Sequence, residues 1–361
     1  IRLNNQFSTT SNIPRYDNLQ DYKDDELKWS EWSYGPQTRL MSSLDINSYK
    51  ESKFFDGNNL TLAYQFIEED RITRKFQSDE YNNTYIDAHV TSLNWDFTIG
   101  KLVYGLELTN NNIISTATEG TQTRYPSGGS RLSTAALYGS YKKEVNEYFV
   151  WNVGARYSQV FGEMSFNETD PVFVTDHIKF NNGALTGNVN LIYKPTNTWK
   201  FDWVASSGFR APNIDDYGKV FVKRGDMVIP NPNLTPEYAY NGEMSITKKW
   251  ENLQVTSNFY YTHLQDVIVK KDLGYTEIHE YEEVNVQTLM NSPEAHIYGW
   301  SLGMKTKLTS WLFFEESFTW QKGWDVSNEE PLGHIPPAFN KCLFKIKKDK
   351  IEYKLWGIYT L

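Results

Sequence analysis

Apolar side chains recur at every second position along most of the chain. In residues 149–157 the sequence FVWNVGARY places Phe, Trp, Val, Ala and Tyr on alternate positions, and residues 102–109, 253–262 and 298–305 show the same alternation. No stretch carries the sustained repeat of an amphipathic helix. Successive side chains of a strand point to opposite faces, so this period predicts strands with one apolar and one polar face. The pattern therefore predicts an all-β chain.

The connections between the predicted strands fall into two length classes. The short ones lie at residues 98–101, 144–147, 195–198, 248–252, 309–310 and 347–350. The long ones lie at residues 11–36, 70–83, 116–130, 161–176, 211–235, 271–283 and 325–336. Between residues 98 and 350 the two classes alternate strictly, which is typical of transmembrane β-barrels with tight turns on one side and long loops on the other. A soluble sandwich has no reason to place every long loop at one end.

Strand length and aromatic placement also favour a barrel in a membrane. Many predicted strands run to ~12 residues or more, whereas ~9–11 are enough for a tilted strand to cross a bilayer. Aromatic residues cluster near strand ends, as Tyr148, Tyr157, Trp199 and Trp250 do, where amphipathic rings match the headgroup level. The segments predict roughly fifteen antiparallel strands. Because bacterial single-chain barrels have even strand numbers, we expect part of the barrel to lie outside this sequence.

Composition and charge exclude several other classes of protein. The 361 residues include 16% aromatic and 22% charged side chains, and the mean hydropathy is −0.59. No apolar run approaches the ~18 residues that a transmembrane helix needs, which excludes a helical membrane protein. The formal net charge of −9 argues against nucleic acid as a partner, because that partner requires a basic surface. The single Cys342 cannot form an internal disulfide.

Two proline-containing segments resemble the paired motifs of TonB-dependent outer-membrane receptors. Residues 206–213 read SSGFRAPN, and residues 231–237 read NPNLTPE. The order of strand, long loop and strand around them is that of the family. Other segments are similar to members of the Bacteroidetes-type branch that takes up iron, haem or cobalamin-like ligands: residues 6–10, 13–17, 34–37, 124–129 and 335–337. The likeness spans nearly the whole chain.

The resemblance implies an antiparallel transmembrane barrel of 22 strands with an N-terminal plug domain. The chain begins with Ile1 without a leader pattern and ends at Leu361, and it shows neither a plug nor a TonB-contacting segment. We therefore interpret residues 1–361 as one internal part of the barrel domain, without the plug and the terminal strands. The location that the resemblance implies is the cell outer membrane. The implied partners are outer-membrane lipid, the TonB complex acting through the plug, and an extracellular small molecule.

The implied function is import of a scarce nutrient, most often an iron-siderophore or another metal chelate. An importer of glycans or peptides with a lipoprotein partner is an alternative, and a non-transporting structural barrel in a secretion complex is another. An enzyme is not expected. Residues 299–303 read GWSLG, which matches the hydrolase nucleophile pattern, but that motif requires a strand-to-helix turn and here lies in an alternating strand.

The paired motifs themselves are interpreted as structural. Proline fixes φ and lacks an N–H donor, so these segments are expected to turn the chain sharply and re-enter the sheet. The structural positions are Phe209, Arg210, Ala211, Pro212, Asn231, Pro232, Asn233 and Leu234. Ligand contact is expected instead from the long loops. The candidate residues there are Arg124, Tyr125, Tyr217, Lys219, Lys223, Arg224, Glu277 and His279.

The sequence contains only weak evidence for metal-binding or haem-binding residues. The six His residues lack the spacing of a zinc site, so neither a metal site nor a cofactor is predicted. Haem importers of this family often carry a His between the two motifs, and residues 211–230 contain none. Tyr217 offers a phenolate of the kind that ligates iron in some haem proteins, although an aromatic loop anchor is the commoner role. Glu277 and His279 share one face of an extended segment, but a solvated acidic loop is the commoner meaning of such a run.

Overall fold

In the computed structural model, the described part of the chain forms fifteen successive strands of eight or more residues. The structure describes residues 1–23, 25–121, 123–167, 176–218, 221–223, 225–279 and 282–360, with backbone only at residues 23, 221–223, 279 and 282. The strands, labelled in chain order, are β1 Arg2–Thr9, β2 Trp29–Ser48, β3 Gly57–Lys75, β4 Tyr81–Ile99, β5 Leu102–Ala117, β6 Ser130–Glu144, β7 Phe149–Ser165, β8 His177–Thr196, β9 Trp199–Arg210, β10 Glu237–Lys249, β11 Leu253–His279, β12 Glu282–Lys307, β13 Leu312–Asp325, β14 Phe339–Lys348 and β15 Ile351–Thr360.

These strands form one continuous antiparallel meander. Each strand pairs with the next along the chain, from β1 to β15. Within the described ranges, β1 pairs with no long strand except β2, and β15 pairs with none except β14. The prediction of an all-β antiparallel chain with roughly fifteen strands is confirmed. The alternation was sufficient evidence because every strand has a near neighbour in sequence to pair with.

The remaining elements are short and lie in the connections. They are the strands Ile13–Pro14, Tyr22–Lys23, Glu26–Leu27, Phe221–Lys223, Asp226–Ile229 and Glu330–Pro331, the 3₁₀ helix Asn18–Gln20 and the α-helix Ile214–Gly218. Asp226–Ile229 pairs in parallel with residues 285–288 of β12. None of the described helices is long and apolar enough to cross a membrane.

Two of the predicted long loops are largely strand. The predicted loop at residues 70–83 lies mostly within β3 and β4, which end and begin at Lys75 and Tyr81. The predicted loop at residues 271–283 is occupied by β11 and β12, which continue to His279 and from Glu282. Polar residues replace the apolar alternation there, so the sequence pattern fades. The backbone ladder continues nevertheless, because each N–H and C=O still gains a partner.

Strand register gives the sheet one apolar and one polar face. Val153 of β7 lies opposite Tyr141 of β6 and Val189 of β8. Asn152, one residue earlier, lies opposite Asn190 of β8. Residues paired across antiparallel strands share a face. The apolar stripe of each strand therefore continues onto its neighbours, and so does the polar stripe.

The polar face carries ion pairs that cross the strands. Arg156 of β7 contacts Glu107 of β5, with Nη2 3.2 Å from Oε1. The Arg156 guanidinium also lies 5.6 Å from the ring centre of Tyr138 on β6. Such pairs need polar surroundings, because an isolated charge in hydrocarbon is costly. The Arg156–Glu107 pair lies on the polar face, away from the apolar stripe of these strands.

Connections at the long-loop end of the sheet fold onto the polar face. Met164 of β7 and Ile178 of β8 are paired with each other and lie on the same face as Asn152 by strand alternation. Ile214 and Tyr217 of the short helix pack against them together with Leu234. All five of these apolar side chains are buried. We call this group the inner cluster, because it fixes the loop between β9 and β10 over the interior side of the sheet.

Candidate functional site

The first proline-containing segment joins the end of β9 to the short helix Ile214–Gly218. Arg210 donates a hydrogen bond from Nε to the Glu237 carboxylate and a second one, of 2.6 Å, from Nη1 to Asp216 Oδ2. The Asn213 N–H donates to Asp216 Oδ2 at 2.8 Å, and the Asp216 N–H donates back to Asn213 Oδ1 at 3.0 Å. This reciprocal pair satisfies backbone donors at the start of the helix. Pro212 is fully buried between the strand and the helix.

The second proline-containing segment is tied to β12. Asn231 donates from Nδ2 to the Leu289 carbonyl at 2.8 Å, and its Oδ1 accepts the Asn233 N–H at 2.9 Å. The Thr235 N–H donates to Asn291 Oδ1 at 2.9 Å, and Asn291 Nδ2 donates back to the Thr235 carbonyl at 2.9 Å. These bonds attach residues 231–235 to a strand that lies far away in sequence. They support the structural interpretation of the motif.

The other motif residues pack within the same region. Phe209 lies opposite Tyr238, with the two ring centres 5.6 Å apart. Ala211 and Pro232 are half-buried, and Leu234 is buried within the inner cluster. Most of the motif side chains therefore make contacts within the protein, whereas that of Asn233 is exposed.

Tyr217 is the central anchor of the inner cluster. Its side chain is 1% exposed, and its ring stacks on Phe180 with 4.4 Å between ring centres. Its hydroxyl donates a 2.7 Å hydrogen bond to the Leu234 carbonyl, which joins the short helix to the second proline-containing segment. Burial raises the pKa of the Tyr217 phenol, which disfavours its phenolate form. This placement favours the loop-anchor role, and ligand contact by Tyr217 stays a prediction.

Beside this helix, four charged residues form a second group that we call the mouth cluster: Glu69, Arg71, Arg124 and Asp215. Glu69 Oε1 lies 3.7 Å from Arg71 Nη2 and 3.8 Å from Arg124 Nη1. Arg124 Nη2 lies 3.9 Å from Asp215 Oδ1. Glu69 and Arg71 are two residues apart on β3 and therefore project from the same face. The four residues bring together β3, the loop between β5 and β6, and the short helix.

Tyrosine rings lie under both guanidinium groups of the mouth cluster. Arg71 stands over Tyr34 at 5.2 Å, and Arg124 stands over Tyr125 at 5.2 Å, measured to the ring centre. Burial is the main cause that raises the pKa of Tyr125, and the Asp215 carboxylate raises it further. Tyr125 therefore stays a neutral ring that supports its arginine by a cation–π contact.

The arginines of the mouth cluster keep unused hydrogen-bonding capacity. The ion-pair distances of 3.7–3.9 Å exceed the 2.7–3.2 Å of a hydrogen bond. In addition, Arg71 Nε is buried without a hydrogen-bond partner among the described residues. Planar guanidinium groups with free N–H donors recognise carboxylates and other anionic oxygens. The mouth cluster can therefore accept an anionic ligand.

The structure brings three of the predicted ligand residues together and leaves the others apart. Arg124, Tyr125 and Tyr217 meet around the short helix and the inner cluster. Glu277 is exposed near the end of β11, opposite Val284, and no described contact joins it to those three. His279 and Lys223 belong to strands whose side chains are not described there, and Lys219 and Arg224 lie outside the described residues. Ligand binding by all eight stays a prediction.

Sequence analysis missed Glu69, Arg71 and Asp215. They lie in segments far apart along the chain, and only the folded loops bring them together. The short helix was missed as well. Its signal is the Asn213 side chain followed three residues later by Asp216, a spacing that favours a helix start.

The most compact set of possible metal ligands among the described residues lies elsewhere. One ligand atom each from His263, Glu294 and His296 lies within 4.8 Å of the other two. These residues project from the apolar face, as Phe259 and Trp300 do by strand alternation. They are therefore separate from the mouth cluster and from any ligand in the interior.

Comparison with known proteins identifies the fold family. A family model described as TonB dependent receptor-like, beta-barrel matches residues 2–344. The chain belongs to this family. In this TonB-dependent receptor barrel, the apolar face of the sheet is the outer, lipid-facing wall and the polar face lines the interior. The prediction of a TonB-dependent receptor barrel is confirmed, whereas the Bacteroidetes-type branch stays a prediction.

Similar proteins and structures include a haemoglobin-binding protein, a copper transporter and a siderophore receptor. Hemoglobin and hemoglobin-haptoglobin-binding protein A of Haemophilus influenzae is 24% identical over 259 residues, which is 57% of this chain and 24% of that protein. The copper transporter OprC superposes with a TM-score of 0.72 at 13% identity, over 88% of this chain and 51% of OprC. The siderophore receptor PiuA from Acinetobacter baumannii gives a TM-score of 0.68 at 12% identity, over 99% of this chain and 61% of PiuA. At these identities, the two structures show a shared fold.

The TonB-dependent receptor chain spans about a quarter of the curated relative and about half of the copper transporter. The two similar structures are those of a transporter and a receptor. Residues 299–303, which match the hydrolase pattern, lie within β12, where Ser301 is paired with Asn258 and Thr319. This position has no strand-to-helix turn of the kind that a nucleophilic serine requires.

Proposed function

We propose that the receptor to which this chain belongs imports an iron-siderophore complex or another metal chelate across the outer membrane. The observation that carries the proposal is the mouth cluster. Two arginines are held over tyrosine rings beside the inner cluster, and one of them has a buried donor without a partner in the described part of the chain. Siderophore complexes that carry carboxylate or catecholate oxygens present anionic, partly aromatic surfaces. Guanidinium groups stacked on rings suit such surfaces.

The proposed sequence of events begins at the long-loop end of the barrel. The chelate binds at the mouth, where Arg71 and Arg124 contact its anionic oxygens while Tyr34 and Tyr125 present aromatic surface. Glu69 and Asp215 hold both arginines in place before the ligand arrives, which reduces the ordering cost of binding. The TonB complex then supplies the energy to move a plug domain and release the chelate inward.

The test compares arginine variants in the purified full-length protein. Arg124→Gln and Arg71→Gln each remove one charge-assisted contact, worth about 1.5–3 kcal/mol, so we expect affinity for an anionic ferric catecholate to fall roughly 10–100-fold. Titrations in detergent with a ferric catecholate, haemin and cyanocobalamin measure the loss by quenching of tryptophan fluorescence. Arg74→Gln is the matched control, because Arg74 stands over Tyr81 at 5.5 Å and projects from the opposite face of β3. Wild-type affinity for every chelate in both test variants would overturn the proposal.

Growth of a deletion strain decides between cargo classes. The strain carrying the wild-type gene is expected to grow when one ferric chelate is the only iron source, and the strain carrying Arg124→Gln is expected to need more of it. Growth that depends on this protein only with a glycan or peptide as nutrient would replace the chelate with that cargo. Loss of membrane assembly without loss of any uptake would favour a structural barrel.

A further inference from the structure

Two histidines and a glutamate meet on the outer wall of the barrel. His263 of β11 lies directly opposite His296 of β12, and Gln265 lies opposite Glu294. Glu294 Oε1 lies 3.5 Å from His263 Nδ1 and 3.2 Å from His296 Nε2. The two Nδ1 atoms are 3.5 Å apart. Three different side chains thus direct donor atoms to one small region.

This group lies at the upper edge of the lipid-facing band. His263 follows Leu253, the first residue of β11, by ten positions, which at about 3.3 Å per residue and a tilt of about 45° is roughly 23 Å above the tight turn. The apolar band of such barrels is about 25 Å tall. Tyr261 and Tyr298 are paired with each other, two residues closer to the tight turn than the two histidines. The outer wall therefore changes from aromatic to ionisable at this level, where water and lipid headgroups are accessible.

A tyrosine orients one of the imidazoles. The Tyr261 hydroxyl and His296 Nδ1 are 2.6 Å apart, and the two rings are stacked. With Nδ1 engaged by the hydroxyl, the remaining nitrogen Nε2 is the one that faces Glu294. Metal-binding histidines are commonly fixed in this way, by a hydrogen bond to the nitrogen that does not bind the metal.

We propose that His263, Glu294 and His296 bind a divalent transition-metal ion of the zinc class on the outer wall. Two imidazole nitrogens and one carboxylate oxygen form a ligand set that zinc accepts, with tetrahedral bonds of about 2.0–2.2 Å. Such bonds place neighbouring ligand atoms about 3.3–3.5 Å apart, which matches the 3.2 and 3.5 Å separations from Glu294 Oε1. The ion joins β11 to β12 at the membrane boundary.

The types of ligand atom in this cluster differ from those that hard cations such as Mg²⁺ and Ca²⁺ prefer. Magnesium and calcium take six or more oxygen ligands, and this cluster offers one carboxylate among two nitrogens. The site is also independent of the proposed import function, because it faces away from the interior. A failed uptake assay would leave the metal proposal standing, and failed metal binding would leave the uptake proposal standing.

The barrel supplies a matched control for the histidines. His89 of β4 projects from the same outer wall, pairs with Phe66, and has its Nδ1 2.9 Å from the Tyr64 hydroxyl. Among the described residues, neither a second histidine nor a carboxylate contacts the His89 imidazole. It therefore reproduces the histidine–tyrosine pair without the other two ligands.

The experiment measures Zn²⁺ binding to the full-length protein in detergent after chelator treatment. We expect His263→Asn and His296→Asn to weaken one Zn²⁺ site by at least ~100-fold, and Tyr261→Phe to weaken it by about 10-fold, as loss of a supporting partner does. His89→Asn should bind as wild type does, and excess Mg²⁺ should not compete. Visible absorption of bound Co²⁺ gives a second readout, which should disappear in Glu294→Gln together with the site.

Two results would overturn the proposal. One is wild-type Zn²⁺ affinity in both His263→Asn and His296→Asn, which would leave the cluster as a histidine–glutamate ion pair. The other is an equal loss in His89→Asn, which would assign the binding to scattered histidines. Retained Zn²⁺ binding by Tyr261→Phe with reduced affinity supports the proposal, because that variant keeps all three ligands.

Discussion

Tyr217 holds the loop between β9 and β10 through one buried hydroxyl. The Leu234 carbonyl that accepts its hydrogen bond lies in the second proline-containing segment, so a single side chain joins the short helix to that segment. Removing one partner leaves a buried polar group unsatisfied, which costs about 1–3 kcal/mol. The hydroxyl group of Tyr217 is therefore expected to contribute substantially to the stability of this loop.

We predict that Tyr217→Phe lowers the free energy of opening the short helix away from Leu234 by about 1–3 kcal/mol. Tyr217→Ala should lower it by about 3–5 kcal/mol, because the stacked ring is lost as well. Hydrogen exchange of the backbone amides in the short helix measures both effects. Tyr16→Phe, in another loop at the same end and 70% exposed, should leave protection unchanged. Equal protection in wild type and Tyr217→Phe would contradict the anchor role.

Single residues of the candidate site could be predicted from the sequence only in part. Arg124, Tyr125 and Tyr217 lie in loops that the strand pattern identifies, so their position at the mouth follows from topology. Glu69 and Arg71 lie in β3, and their approach to Arg124 depends on how a distant loop folds back. The contact between His263 and His296 depends on the pairing register of β11 and β12. A shift of one residue would place the two side chains on opposite faces of the sheet.

Within a single strand, the lipid-facing side requires apolar side chains, whereas the interior side accepts polar and charged ones. We predict that Val153→Arg destabilises the barrel by about 2–4 kcal/mol, because Val153 faces lipid near the middle of the band. Asn152→Arg should cost less than about 1 kcal/mol, because that side chain faces the polar interior. Denaturant titration of the protein in lipid vesicles measures both values. Similar losses for the two variants would contradict the assigned faces.

The strands themselves were predictable because alternation and backbone pairing coincide over most of their length. Their outer extensions were not, since β11 and β12 continue to pair after the apolar alternation has ended. The alternation of apolar and polar residues also did not predict the parallel pairing of Asp226–Ile229 with β12. It is set by contacts of Met227 with Val284 and Val286, which form a small buried group. Local pattern determines which segments are strands, and distant packing determines where irregular strands attach.

The whole molecule has two unlike ends. Tight turns such as residues 145–148 close one end, and longer connections such as residues 211–236 lie at the other. The longer connections carry Arg124 and Asp215 of the mouth cluster, and the described part of the loop between β9 and β10 packs over the polar interior. In a barrel of this family, tight turns face the periplasm and long loops face the outside. The direction of the chain across the membrane follows from this asymmetry.

We predict that an epitope inserted after Gly225 or after Gly120 is labelled by antibody on intact cells, and that one inserted after Asn146 is not. Gly225 and Gly120 are exposed in longer connections, and Asn146 is exposed in a tight turn. Antibodies do not cross an intact outer membrane, so labelling reports the side on which each residue lies. The Asn146 insertion should become labelled once the membrane is permeabilised, which shows that the epitope is present and accessible. Labelling of intact cells at Asn146, with none at Gly225 and Gly120, would invert the orientation and place the mouth cluster toward the periplasm.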